Sequence, residues 1–269
     1  MTQPILEVND LSVSYDHTSQ VLKKVGFTLQ QGEILAVVGE SGSGKTTLIR
    51  TIINLLGKSA TIDSGTIRFD GIDLFTQNAK QWRALRGGCI AMVFQNPGAT
   101  LSPMVSIESQ FIEAIRNHRA ISKAEAKQVA LEEISKLGLA DPHGILKSRP
   151  WQLSGGMKQR VAIAISLAMQ PELILADEPT SALDVSTQEL VLDELRNRKE
   201  NHNTAVIMVS HNLAACAAIA NKILVMRDGE VVDYGTLDEI HSREEGCYTC
   251  ELLDAVPTLN PSVKEPKND

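Results

Sequence analysis

Gly39–Thr47, GESGSGKTT, stands between an apolar run, EILAVV, and a stretch with helical spacing, LIRTIINLL. It fits the pattern G-x-x-x-x-G-K-[ST] through Gly39, Gly44, Lys45 and Thr46, with an expected strand before it and an expected helix after it. Glycines let the backbone wrap so that successive N–H groups aim inward at an anion. The helix that starts near Gly44 adds its positive end. Lys45 reaches terminal phosphates, the Thr46 hydroxyl suits Mg²⁺, and Ser41, Gly42, Ser43 and Thr47 complete the cradle. The stretch therefore predicts a loop that holds a nucleoside triphosphate.

Such a loop needs acids for the metal and for water. LILADEP, Leu173–Pro179, supplies them. Asp177 ends an apolar strand, where a carboxylate faces the metal shell, and Glu178 follows directly. Consecutive side chains at a strand end point in different directions. One acid can serve the metal while the other orients or deprotonates water.

Around these two motifs the chain reads as an α/β fold. ILEVNDLSVSY and VLKKVGFTL alternate apolar and polar residues and predict antiparallel strands. EILAVVG is a continuous apolar run, expected where both faces of a strand are buried. Leu48, Ile52 and Leu55 predict a helix after the loop. SGTIRFDGIDL predicts a hairpin turning at Asp70-Gly71. CIAMVFQNP predicts a buried strand stopped by Pro97. Helical patterns then run to Pro171, in IESQFIEAIRNH, SKAEAKQVALEEISKLGL and GGMKQRVAIAISLAM. Strand character returns in ELILADEP and TAVIMVSH, each followed by a helical stretch, and KILVMRD and EVVDYG close the core around Gly229. The expected organisation is one domain over 1–255, with a helical subdomain over about 97–170 and a disordered tail over 256–269.

Composition bounds the rest. At 269 residues the chain is long enough for a sizeable core, and a net charge of −7 argues against a surface that wraps nucleic acid. The N-terminal MTQPILEVND has no secretory pattern, and no apolar run approaches the ~20 residues needed to span a bilayer. Any work at a membrane is expected from outside the lipid. Cysteines occur at 89, 216, 247 and 250. Cys247 and Cys250, with His241, could form half a metal site, but a zinc site needs about four ligands. The reading adopted is two small apolar residues on a terminal helix.

LSGGMKQR, Leu153–Arg160, reads as a loop entering a helix, with Ser154 as N-cap and Gly155 and Gly156 exposing N–H groups to an anion. This second anion nest resembles the signature sequence of ATP-binding-cassette (ABC) ATPases, with Met157 where most members have glutamine. The resemblance covers about residues 5–255. It implies the P-loop ABC-ATPase fold: a mixed central sheet, an antiparallel β subdomain and a helical insertion subdomain. It also implies a head-to-tail dimer in which Ser154, Gly155 and Gly156 meet the ATP of the opposite subunit. By the same resemblance Tyr15 stacks on adenine, and Gln95 meets Mg²⁺ and links to the helical insertion. Ser181–Asp184, SALD, joins the two sites, and His211 contacts the γ-phosphate. The implied Mg²⁺ shell is Thr46, Gln95 and Asp177; the implied catalytic residues are Glu178, His211, Lys45 and Gln95.

FQNPGATLSPMVSIESQ and the run from Trp151 to Gln188 look like the subfamily that energises bacterial uptake of dipeptides, oligopeptides and nickel, in which the Met after the two glycines is common. GCYTCELLDAVPTLNP resembles that group's terminal segment. Cys247, Tyr248, Thr249 and Cys250 stand where relatives often read His-Pro-Tyr-Thr, and a cysteine-rich cluster-binding tail found in some members is not expected here. Asn212 replaces the usual aspartate after the histidine. The resemblance implies an ATPase subunit on the cytoplasmic face of the inner membrane, working with two transmembrane permease subunits, a second related ATPase and, indirectly, a solute-binding protein. The alternative is a soluble ABC ATPase acting on nucleic acid or translation. Such proteins usually carry two cassettes or a long coiled coil, and neither is visible.

Overall fold

A computed structural model describes residues 3–16, 19–95, 100–181 and 183–241. Two sheets organise them. In the first, β1 (Leu6–Tyr15), β2 (Ser19–Leu29), β4 (Ala60–Phe69) and β5 (Ile72–Asp73) lie antiparallel in the order β2-β1-β4-β5. The second contains β3 (Ile34–Gly39), β6 (Ile90–Val93), β7 (Leu173–Asp177), β8 (Ala205–Val209), β9 (Lys222–Arg227) and β10 (Glu230–Gly235). Its order is β10-β9-β3-β8-β7-β6, parallel throughout except for the edge strand β10.

The continuous apolar runs follow from burial on both faces. Ile34, Ala36 and Val38 of β3, Ile174 and Ala176 of β7, and Val206 and Met208 of β8 pack toward one core, shared with the helices between β6 and β7. Leu35 and Val37, Leu173 and Leu175, and Ala205, Ile207 and Val209 pack into the other, shared with the antiparallel sheet and α1 (Lys45–Ile52). Side chains alternate faces with period two, so a strand that is apolar at every position must serve both cores.

Turns obey local chemistry. Asp70 and Gly71 take φ of 46° and 74°, and Asp228 and Gly229 take 51° and 85°. Positive φ at both central residues is the type I′ hairpin geometry that Asp-Gly favours. The helix after the phosphate-type loop is shorter than its apolar spacing predicts. It ends at Ile52, Asn54 turns to φ 53°, and Leu55 falls beyond the helix at 38% exposure. The chain breaks there through a Schellman-type cap, in which Asn54 N donates to the Thr51 carbonyl (3.0 Å) and Leu55 N to that of Arg50 (2.7 Å). Arg86 then satisfies the carbonyls beyond the helix, donating from Nε to Ile53 (3.0 Å) and from Nη2 to Asn54 (2.5 Å). Two short helices have no strong periodicity in the sequence: α2 (Ala79–Ala84), started by an Asn78/Gln81 capping box, and, later in the chain, the six-residue Pro142–Lys147.

Between β6 and β7 lie α3 (Ile107–His118), α4 (Lys123–Lys136), α5 (Pro142–Lys147) and α6 (Gly155–Ala168). Ser106, Ser122 and Ser154 cap α3, α4 and α6. After β7 come α7 (Val185–His202), capped by Asp184, then α8 (Leu213–Ile219) and α9 (Leu237–His241). Pro97, Ala182, the Cys247/Cys250 pair and the 256–269 tail lie outside the described residues.

The insertion is tied to the sheet domain by a buried ion cluster. Arg198 of α7, 2% exposed, pairs with Glu133 of α4 and with Glu194 at 2.8 Å, and its Nη1 donates to the Leu167 carbonyl of α6. Glu133 and Glu194 are 5% and 6% exposed. Removing one partner strands buried charge, so Arg198→Ala is expected to lower unfolding free energy by about 3–5 kcal/mol. Denaturant unfolding measures this; a loss below ~1 kcal/mol would place the cluster with inert surface pairs.

Candidate active site

Four parallel strands deliver their C-terminal ends to one place. In-register pairs align Val37 with Val209, Asp177 with Val209, and Val93 with Ala176. The residues that follow these ends are the glycine loop, Glu178, His211 and Gln95, so segments far apart in sequence converge along one sheet edge. They line a cleft of about 360 Å³ together with Tyr15, Val21, Ser41, Gly42, Gly44, Lys45, Thr46 and Thr47.

Backbone geometry demands glycine in the loop. Gly39 and Gly44 have φ of 144° and 100°. A Cβ on Gly39 would fall 2.0 Å from the Met226 carbonyl oxygen, and one on Gly44 2.8 Å from that of Val21. A Cβ on Gly42, by contrast, would meet nothing within 4 Å, so that face of the loop is open. Lys45, 5% exposed, folds back on the loop: its Nζ donates to the carbonyls of Gly39 (2.8 Å) and Glu40 (2.6 Å) and to Ser43 Oγ (3.3 Å). Burial pulls the ammonium pKa down, against the raising influence of Glu178, Asp177 and Glu40. Among the described residues its hydrogen bonds go to neutral oxygens, and a buried cation bonded in this way is suited to an incoming anion.

Thr46 Oγ1 donates to Asp177 Oδ1 at 3.2 Å. Asp177 is 2% exposed, and burial raises its pKa while the Thr46 hydroxyl, Arg50 and Lys45 oppose the rise. Asp177 does not itself line the cleft; Thr46 does. This hydroxyl–carboxylate pair has the hard oxygen chemistry that fits Mg²⁺.

Glu178 is the centre of the site. Its Oε1 lies 2.6 Å from His211 Nε2, and its Oε2 accepts from Gln95 Nε2 at 3.0 Å. Its backbone takes φ 49°, an uncommon left-handed conformation for a non-glycine residue, and its N–H donates to the Val209 carbonyl at 2.9 Å. The carboxylate thus sits between groups that follow β6 and β8, aimed by a strained backbone.

The remaining sequence candidates fall elsewhere. Gly39 forms the back of the loop, and Ser43 is buried against Lys45. Ser154, Gly155 and Gly156 do not line the cleft. Ser154 Oγ accepts from Met157 N at 3.3 Å as the cap of α6, while Gly155 faces open space. Asp184 caps α7 through Thr187 N (3.0 Å), and donors from Ser186 and Thr187 pull its pKa down to about 2. Sequence reasoning missed Val21 in the cleft wall and Gln159, a buried residue of α6 bonded to the Pro179 carbonyl. Val21 carries no motif signal, and Gln159 only its place within LSGGMKQR.

Comparison with known proteins bears on this arrangement. Residues 22–181 match the family model described as ABC transporter. A dipeptide transport ATP-binding protein of Lactococcus lactis is 39% identical over 97% of this chain and 76% of its own length. An oligopeptide transport ATP-binding protein of Streptococcus pneumoniae is 39% identical over 95% of this chain and 73% of its own. The chain belongs to the ABC transporter family. A dimeric ATP-binding cassette solved in its post-hydrolysis state with ADP and Pi superposes with a TM-score of 0.78 at 29% identity, covering 86% of this chain and 98% of that one. ABC ATPases of this fold bind and hydrolyse ATP, which gives the cleft its substrate. Among the described residues no helix is long and apolar enough to cross a membrane. Kinship with transport ATP-binding proteins implies membrane permease partners.

Proposed function

We propose that this chain is the ATP-hydrolysing subunit of a bacterial importer for peptides, nickel or a related small solute. It works at the cytoplasmic face of the inner membrane beneath two permease subunits, paired head-to-tail with a second, related ATPase and served indirectly by a solute-binding protein. The observation that carries the reading is the cleft where Lys45, Thr46, Gln95, Glu178 and His211 converge while Ser154–Gly156 stay outside it. A nest with N–H groups but no access to its own cleft suits the nucleotide of a facing subunit. Relatives named for dipeptide and oligopeptide transport support the solute class.

In this reading Lys45 exchanges loop carbonyls for the terminal phosphates and neutralises charge there. Thr46, Asp177 and Gln95 would hold Mg²⁺, which supplies electrostatic stabilisation to the phosphates. Glu178 accepts the proton of the attacking water, His211 fixes the carboxylate and reaches the γ-phosphate, and Tyr15 stacks on the adenine. A groove of about 320 Å³ lined by Phe94, Leu101, Gln110 and Ile165 joins the segment beside Gln95 to α3 and α6, and suits a short helix from a permease.

Lys45→Ala tests the loop directly. The charge-assisted bonds it removes are worth about 1.5–3 kcal/mol, a weakening of ATP binding on the order of 10- to 100-fold. Calorimetry giving wild-type affinity would move the phosphates off this loop.

A further inference from the structure

We propose that Gln159 is a positioning residue that couples the signature helix α6 to Glu178. The inference rests on the reading of Ser154–Gly156 as the nest for a facing subunit's ATP. Gln159 lies five residues past Ser154 on the same helix and is 2% exposed. Its Nε2 donates to the carbonyl of Pro179 at 2.5 Å, and Pro179 directly follows Glu178. From the other side Gln188 of α7 donates to the carbonyls of Thr180 and Leu183, each at 3.1 Å. Ser181 closes the turn by donating from N (3.3 Å) and Oγ (3.1 Å) to the Glu178 carbonyl. The loop leaving Glu178 therefore hangs between two glutamine amides, one from each helix.

A buried amide at 159 is a poor choice for stability alone. Its Oε1 is buried and accepts no hydrogen bond from the described residues, a cost that offsets much of what the amide contributes by donating to the buried Pro179 carbonyl. What the amide adds is direction. Glu178 sits at φ 49°, an uncommon backbone for this residue that sets the direction in which its side chain leaves the strand, and the anchor on the next residue helps to hold that backbone. A shift of α6 on meeting the nucleotide opposite is delivered through Gln159 to Pro179 and so to Glu178 in the subunit's own cleft. Each subunit thereby ties hydrolysis at its own site to engagement at the other.

The experiment uses the full chain assembled with its permease and ATPase partners, with ATP as the ligand. Gln159→Leu and Gln159→Met leave the buried Pro179 carbonyl without this donor, so some thermal stability is expected to be lost; kcat should fall about tenfold while KM for ATP stays within about twofold. Gln159→Glu adds a readout that packing alone does not move. The protonated carboxyl can donate to the Pro179 carbonyl and the carboxylate cannot, so its kcat relative to wild type should climb as pH falls. Wild-type kcat in the Leu and Met variants, or a flat pH ratio in the Glu variant, overturns the coupling; the pH ratio alone decides if the apolar variants do not fold. Glu178→Gln in the same assay separates the two readings. Turnover surviving it removes the hydrolytic site and the coupling together, whereas turnover lost there but kept in all three Gln159 variants removes the coupling alone.

Discussion

Glu178→Gln is expected to bind ATP as the wild type does and to lose turnover by a factor of about 10²–10⁴, the range for removing a positioned general base. The change keeps side-chain shape but removes the charge that accepts a proton from water. The hydrogen bonds make it informative beyond charge. Glu178 offers one oxygen to His211 and the other to Gln95. Glutamine has one acceptor and one donor group where the carboxylate has two acceptors, so it cannot accept from both neighbours. Binding is spared because the phosphate-facing groups, Lys45 and the loop N–H donors, are untouched. Phosphate release under steady state measures the loss, and size-exclusion in ATP should show an accumulated closed dimer. Turnover at the wild-type rate would take the role of base away from Glu178.

Gly155→Asp tests the arrangement between subunits. A Cβ at 155 meets nothing within 4 Å, so an aspartate fits without disturbing its own fold. The position is the first of α6, whose first turn has no acid, and a carboxylate there interacts well with the helix dipole. Any loss of function therefore comes from charge presented outward. Facing a γ-phosphate on the other subunit, that carboxylate repels it in a gap with reduced screening; at 4 Å and an effective dielectric near 20 two unit charges repel by about 4 kcal/mol, enough to cut closure roughly 10³-fold. The variant should bind ATP at its own loop with near-normal affinity, fail to form the closed dimer, and abolish hydrolysis at the site built on the partner's loop. Calorimetry on the isolated chain and turnover of the assembled complex separate these effects. Loss of ATP binding by the mutated chain itself, with the partner's site still working, would place the nest in cis.

These experiments divide along what could be read from the chain and what could not. The sequence by itself determined the features whose cause is local. The glycine loop is legible because its positive φ angles and its lysine lie within eight residues. The Asp-Gly hairpins and the serine caps are legible for the same reason. The strands buried on both faces show themselves because period-two alternation with two cores leaves no polar position. Where the cause was distant, the local reading failed or was silent. The carbonyls of Ile53 and Asn54, just past the helix that follows the loop, find their donor in Arg86, over thirty residues on. Glu178 gains its partners from Gln95 and His211, Arg198 its counter-charge across the subdomains from Glu133 of α4, and Gln159 its bond to Pro179. Those meetings were decided by the tertiary structure alone, because the strand order β3-β8-β7-β6 departs from the order of the chain, and only that order brings four separate strand ends to one edge.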